Sequence, residues 1–141
     1  EYWREVKQSE SGFLVSTMEA IRKECYWTKG DLLDYFQVRG TETAFSPQYQ
    51  AGVLFVRKET ETVDLIQRWL KLYYEDFYLL DDSPSRSPDE DGFVEHRHDQ
   101  SVLSLLLKQH GALEIPLEEV YRSNWNLCSR FCPVLIKRDL C

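Results

Sequence analysis

No Cys-x-x-Cys pair occurs among the four cysteines, Cys25, Cys128, Cys132 and Cys141, and structural zinc sites favour such tight pairs with further ligands beside them. A zinc module is therefore disfavoured. An even number of thiols permits disulfides without requiring them, and a chain this size with this apolar content needs no staples. Reduced thiols and a cytoplasmic setting are the expectation, with a secretory or Golgi lumen as the alternative. No apolar run reaches the ~18 residues of a membrane-crossing helix, so no membrane span is expected. Positive charge is also short: 17 Lys and Arg against 24 Asp and Glu leave a formal charge of −7. That balance disfavours nucleic acid, whose backbone calls for a basic face. The chain has no Gly-rich phosphate loop, no Gly-x-Ser-x-Gly elbow and no His-Glu-x-x-His, so the enzyme classes built on those motifs lose support.

What is present is enough apolar material for one packed domain, 43% hydrophobic and 13% aromatic in 141 residues. The opening Glu1-Tyr2-Trp3, without methionine, reads as the interior of a longer text, and residues 1–141 are expected to be one domain's C-terminal fragment. Tyr2, Trp3 and Val6 have helical spacing. Phe13 to Thr17 is a short β-prone run, and Met18 to Cys25 is expected to turn helical. Leu32, Leu33, Tyr35 and Phe36 predict a short helix capped by Thr28 or Asp31. Turn chemistry from Arg39 to Pro47 predicts a loop.

Gln50 to Arg57 is a continuous apolar run of the kind buried on both faces, and predicts a strand central in a sheet. Thr60 then caps a helix in which Val63, Ile66, Trp69, Leu70 and Tyr73 repeat at helical spacing, with Arg68 and Lys71 toward solvent. A strand leading directly into an amphipathic helix is half of a βαβ unit, which favours a layered α/β fold over a helical bundle. Ala112 to Pro116 reads as a strand, Leu117 to Tyr121 as one turn, Asn124 to Asn126 as a polar turn and Pro133 to Lys137 as a closing strand.

Two of the three histidines fall in Phe93-Val94-Glu95-His96-Arg97-His98-Asp99-Gln100-Ser101, where an acidic loop meets a strongly apolar helix. Asp99 is expected at its N-cap or in its first turn, and Val102 to Leu107 are too apolar all round for a surface helix. The His96, His98, Asp99 and Gln100 group suits metal binding or proton transfer; a solvated, capped helix start explains it as well. Upstream, Asp81 to Gly92 is rich in carboxylates and has Pro84 and Pro88 but little apolar anchoring. Such a segment reads as a solvated, mobile loop. Gln50-Ala51-Gly52 places small residues at a strand mouth, where either a ligand or a packed helix can approach the backbone.

Three stretches, Gln48 to Lys58, Leu80 to Ser85 and Glu95 to Ser101, in this order and spacing, resemble the C-terminal half of GT-A-type glycosyltransferases. The similarity is to a group from bacterial polysaccharide loci and large viruses, and more distantly to family-8-like retaining galactosyl- and glucosyltransferases. It spans roughly Trp27 to Ile115. The resemblance implies the C-terminal part of a Rossmann-like GT-A domain, a mixed sheet with flanking helices. It also implies a nucleotide-sugar donor, a glycan or other hydroxyl acceptor, and a divalent cation, Mn or Mg. In that picture Asp99 contacts sugar hydroxyls and Gln100 faces the anomeric carbon. Gln50, Ala51, Gly52 and His98 line the donor-sugar pocket. The family's metal-binding carboxylates fall upstream of Glu1, which leaves His96 and His98 as the weaker metal candidates here. The competing reading is a non-catalytic module that binds a glycan or a protein through Trp27, Trp69, Tyr73 and Tyr74.

Overall fold

In the computed structural model, residues 1–121 are described. They form an α/β fold around a mixed three-stranded sheet. Helix α1 (Tyr2–Gln8) leads into β1 (Phe13–Thr17), then the short helices α2 (Glu24–Trp27), α3 (Gly30–Tyr35) and α4 (Glu42–Phe45). Strand β2 (Tyr49–Val56), the long helix α5 (Thr60–Glu75), α6 (His98–His110) and β3 (Leu113–Pro116) complete it. The strand order is β2-β1-β3, with β1 antiparallel to β2 and parallel to β3.

Two clusters cover the sheet. On one face Phe13 and Val15 of β1 join Leu32, Leu33, Leu65, Leu72 and the apolar residues of α6. On the other, Leu14 packs with Tyr2, Val6, Ile115 and Val120. Every residue from Ser101 to Leu107 is buried, as an all-round apolar helix requires. Its five aliphatic side chains, each worth roughly 1.5–3 kcal/mol on burial, make α6 the main support of the fold.

The middle of the sheet belongs to β1, not β2. The apolar run of β2 divides its side chains between the two clusters, with Ala51, Leu54 and Val56 on one and Val53 and Phe55 on the other. Among the described residues β2 lies at the sheet edge and is only half-buried. The pairing register jumps from Val15 opposite Leu54 to Ser16 opposite Gln50, so Ala51, Gly52 and Val53 bulge out of the ladder. Among the described residues the expected βαβ unit is absent too, because β3 pairs in parallel with β1 and not with β2.

Met18 to Lys23 is not helical. Its backbone bonds go across to the segment before β2, with Gln48 N donating to Arg22 O (2.8 Å) and Lys23 bridging Pro47, and helix begins only at Glu24. The loop from Arg39 to Pro47 contains one helical turn, α4. Helix α5 starts from Glu59, whose capping box closes on Thr62. It buries Thr62, Leu65 and Leu72, with Ile66, Trp69 and Tyr73 half-buried; Val63 and Leu70 are exposed. Neither Thr28 nor Asp31 caps α3, whose N-cap position is Lys29. The expectations for Asn124 to Asn126, Pro133 to Lys137, Cys128, Cys132 and Cys141 lie outside the described residues.

The acidic loop has polar anchors in place of apolar ones. Asp89 Oδ1 accepts from Gly30 N (2.6 Å) at the start of α3, and Arg39 pairs with Glu90 (2.9 Å). Asp31 accepts from the backbone N–H groups of Arg86 and Ser87 (both 2.9 Å). Burial works against ionisation of Asp31, but these N–H donors and the Ser87 hydroxyl outweigh it and hold the carboxyl below its usual range. The buried Lys29 ammonium donates to Tyr78 O, Ser83 O (3.1 Å) and Asp81 O (3.3 Å). Little apolar anchoring is the expectation, and the polar contacts that tie the loop down are what it leaves out. An added methyl at Gly30 runs into the carbonyl oxygen of Pro88 and the Arg39 guanidinium (2.7 Å). Gly30→Ala is therefore expected to destabilise by about 1–2 kcal/mol through this crowding and to speed hydrogen exchange at the Arg86 and Ser87 amides; an unchanged denaturation midpoint and exchange rate would show that the loop is not held there.

Candidate functional site

Beneath the head of α6 lies a buried polar network built from residues far apart in the chain. Glu24, fully buried in α2, is its hub. One carboxylate oxygen accepts from Lys108 Nζ (2.8 Å) and from the Ser104 hydroxyl; the other accepts from Gln48 Nε2 (3.0 Å) and Thr28 Oγ1 (3.2 Å). Thr28 is occupied here, which is why it does not cap α3. Gln48 Nε2 also reaches Ser101 Oγ (3.1 Å). Every neighbour of that nitrogen accepts, so the Gln48 carbonyl must turn the other way, where Gln100 Nε2 donates to it at 2.6 Å. Gln100 Oε1 in turn accepts from Ala51 N (3.4 Å), an N–H that the bulge in β2 has freed from the ladder. Bulges are often found where a side chain is re-aimed beside a site.

Gln100 and Gln50 share a cleft of about 250 Å³ with Glu19, Arg22 and Arg97 around it and Met18, Leu117 and Tyr121 as its apolar and aromatic wall. Gln50 Oε1 accepts from Ser16 Oγ (3.3 Å) and from Gly52 N (3.2 Å), which turns its amide nitrogen outward. The guanidiniums of Arg22 and Arg97 lie 5.1 and 4.6 Å from the centroid of the Trp27 ring.

The expected site residues therefore separate. Gln50 and Gln100 come together at the cleft, with half-buried Ala51 tied to Gln100 and exposed Gly52 tied to Gln50. Asp99 does not join them. It sits in the first turn of α6, the N-cap position being Arg97, and is exposed with no hydrogen-bond partner among the described residues. It is felt at Tyr73 of α5, whose phenol is raised first by burial and then by the Asp99 charge.

The two histidines face the acidic loop. His96 is buried, with Nε2 donating to Leu79 O (2.9 Å) and Nδ1 accepting from Lys29 N (3.3 Å). Both ring nitrogens are used, so no lone pair is left for a metal. His98 takes a left-handed backbone (φ 46°), a strained conformation that histidine adopts more readily than most residues. Its Nδ1 donates to Leu80 O (2.7 Å), and its Nε2 lies 3.4 Å from Asp82. Among the described residues no group of three or more His, Cys, Asp or Glu side chains is arranged to hold a metal ion, and no helix is long and apolar enough to cross a membrane.

Comparison of the chain with protein-family models, curated proteins and solved structures finds no match. Sequence reasoning missed Glu24, Lys108, Arg22, Arg97 and Glu19. The aromatic set of the competing module reading is also dispersed: Trp27 lies under the cleft arginines, Trp69 and Tyr73 pack on the main core, and Tyr74 is exposed on α5.

Proposed function

We propose that this chain is the sugar-binding part of a GT-A-type, nucleotide-sugar-dependent glycosyltransferase. The observation that carries the reading is the amide array at the head of α6, where Gln48 fixes Gln100 and the β2 bulge fixes both Gln50 and Gln100 beside one cleft. Fixed amides, a carboxylate and an aromatic wall are what a polyhydroxylated ring needs for orientation. Pockets for drug-sized ligands run to roughly 300–1,000 Å³, so about 250 Å³ suits one monosaccharide rather than a whole nucleotide sugar.

In this reading Gln50 and Gln100 hold the sugar by hydrogen bonds from their amide nitrogens. Asp99 lies outside that cleft, in the first turn of α6, so its carboxylate, uncommitted among the described residues, is assigned to hydroxyls of the acceptor. Groups already in place when positive charge develops at the anomeric carbon need no reorganisation, which is where such side chains lower a barrier. The divalent cation implied by the family resemblance finds no ligand set among the described residues: both nitrogens of His96 are engaged, and no three His, Cys, Asp or Glu side chains are arranged to hold an ion. No step of transfer is assigned to a metal here.

The test is Asp99→Asn in the intact transferase, followed by sugar transfer and melting temperature together. Asp99 makes no contact whose loss would unfold the chain, so the melting temperature should stay put. Turnover is expected to fall by roughly a hundredfold, or ~2.7 kcal/mol. If turnover also holds, Asp99 leaves the mechanism and the sugar site shrinks to the glutamine array.

A further inference from the structure

The hydrogen-bonding atoms around the cleft are unevenly engaged. All three glutamine carbonyl oxygens are taken by the protein: that of Gln50 by Ser16 and Gly52, that of Gln100 by Ala51, that of Gln48 by Gln100. What faces the cleft is therefore N–H. The Gln50 amide nitrogen has no partner among the described residues, and Gln100 Nε2 has a second hydrogen beyond the one given to Gln48.

Two guanidiniums add to this excess of donors. Arg22 and Arg97 come from separate segments, yet both line the cleft and both stack on Trp27. Each makes one exposed ion pair, with Glu19 (3.4 Å) and with Glu95 (2.8 Å). Exposed pairs hold weakly, and a guanidinium has five N–H donors, so most remain for a ligand. Against them the cleft offers one carboxylate, Glu19, and the Tyr121 hydroxyl. Two arginines against one glutamate in the lining run against the formal charge of −7 of the chain as a whole.

A neutral sugar, whose hydroxyls donate as well as accept, leaves such a donor surplus unmatched. A carboxylate or phosphate brings acceptor-only oxygens that fit the guanidinium fork. We propose that this cleft binds an acidic sugar, with ring hydroxyls on Gln50 and Gln100 and the acid group held by Arg22 and Arg97. The inference rests on the sugar-binding reading above and names the class of sugar.

The experiment follows the side-chain amide and arginine Nε–H resonances of the full chain, ¹⁵N-labelled, during titration with glucuronate, glucose 6-phosphate, glucose and inorganic phosphate. Either acidic sugar is expected to move the Gln50, Gln100, Arg22 and Arg97 signals together. It should bind at least about tenfold more tightly than glucose, as charge-assisted bonds are roughly twice as strong as neutral ones, and should weaken as salt is added. Arg22→Gln and Arg97→Gln, both at half-exposed positions, should leave the melting temperature unchanged and each bring the acidic sugar down toward glucose. Which of the two acidic sugars binds more tightly identifies the acid group. Glucose binding as tightly as both acidic sugars would overturn this inference and leave the sugar reading intact. Inorganic phosphate matching them on the arginine signals, with the glutamine amides unmoved, would overturn it in favour of a plain anion patch. Silence from every sugar would remove the inference and the sugar reading together.

Discussion

Glu24→Ala is expected to destabilise the chain by about 3–5 kcal/mol, the usual cost of removing one partner from a buried ion pair. A domain of this size typically has only about 5–15 kcal/mol in total, so the variant should be largely unfolded by mild urea. Glu24 is fully buried, and its two oxygens take four donors, from Lys108, Ser104, Gln48 and Thr28. Truncation leaves all four facing a hole, although Lys108 keeps the Ser46 hydroxyl (2.6 Å) and the Pro47 carbonyl (2.8 Å).

The double variant Glu24→Ala, Lys108→Met separates two reasons for that cost. If the penalty is mainly the stranded ammonium, removing it should recover a good part of the loss. If the cost is mainly the release of Gln48, recovery should be slight and the Gln100 side-chain amide signals should broaden or shift in both variants, because Gln48 would no longer be told which way to face. A single alanine variant with nearly unchanged stability would show that water replaces the carboxylate and that the network does not organise the cleft.

Local pattern made much of the scaffold legible. The run from Val102 to Leu107 identifies α6 as buried because no surface helix is apolar on all sides, and β1 and β3 follow from short β-prone runs between turn residues. Position within the sheet was not legible. A continuous apolar strand reads as central, but β2 is apolar on both sides because two separate clusters use it, while five-residue β1 takes the middle. Gln50, at a strand mouth, and Gln100, at a helix start, could be proposed from sequence, but the bulge that fixes them could not. Nor could the rest of the site. Glu24, Gln48, Ser101 and Lys108 form one network across more than eighty positions, and a lone Glu or Lys in a sequence reads as surface. Asp31 misleads for a related reason: it stands where a cap belongs, but the acidic loop supplies better donors for its carboxylate. Paired Glu19 and Arg22 offered a signal, being three apart beside Trp27, yet only the fold brings Arg97 to the same ring.

The pH dependence of stability is the second large effect, and it is centred on His96. Burial, helped by the nearby His98 and Lys29 and opposed by the Leu79 carbonyl, moves this imidazole from the usual 6.5 down to about 4. In the folded chain it stays neutral through mildly acidic pH, whereas the unfolded chain protonates it. Between pH 6.5 and 4 the unfolded state therefore binds more protons, and stability rises with pH there. The contribution is complete above 6.5 and is lost as pH falls toward 4. At 1.36 kcal/mol per unit, the shift corresponds to about 3 kcal/mol. Carboxylates titrate at the lower end of the same window, so the wild type alone does not isolate the effect. His96→Gln does, because an amide can still reach the Leu79 carbonyl and Lys29 N but carries no titrating proton. Urea unfolding at pH 7.0, 5.5 and 4.5 should give two curves of stability against pH that converge on acidification, the wild type losing more. Parallel curves would mean that His96 is protonated in the folded state as readily as in the unfolded one, and that its ring is not the sealed, doubly bonded link between Leu79 and Lys29 that holds the acidic loop to the start of α3.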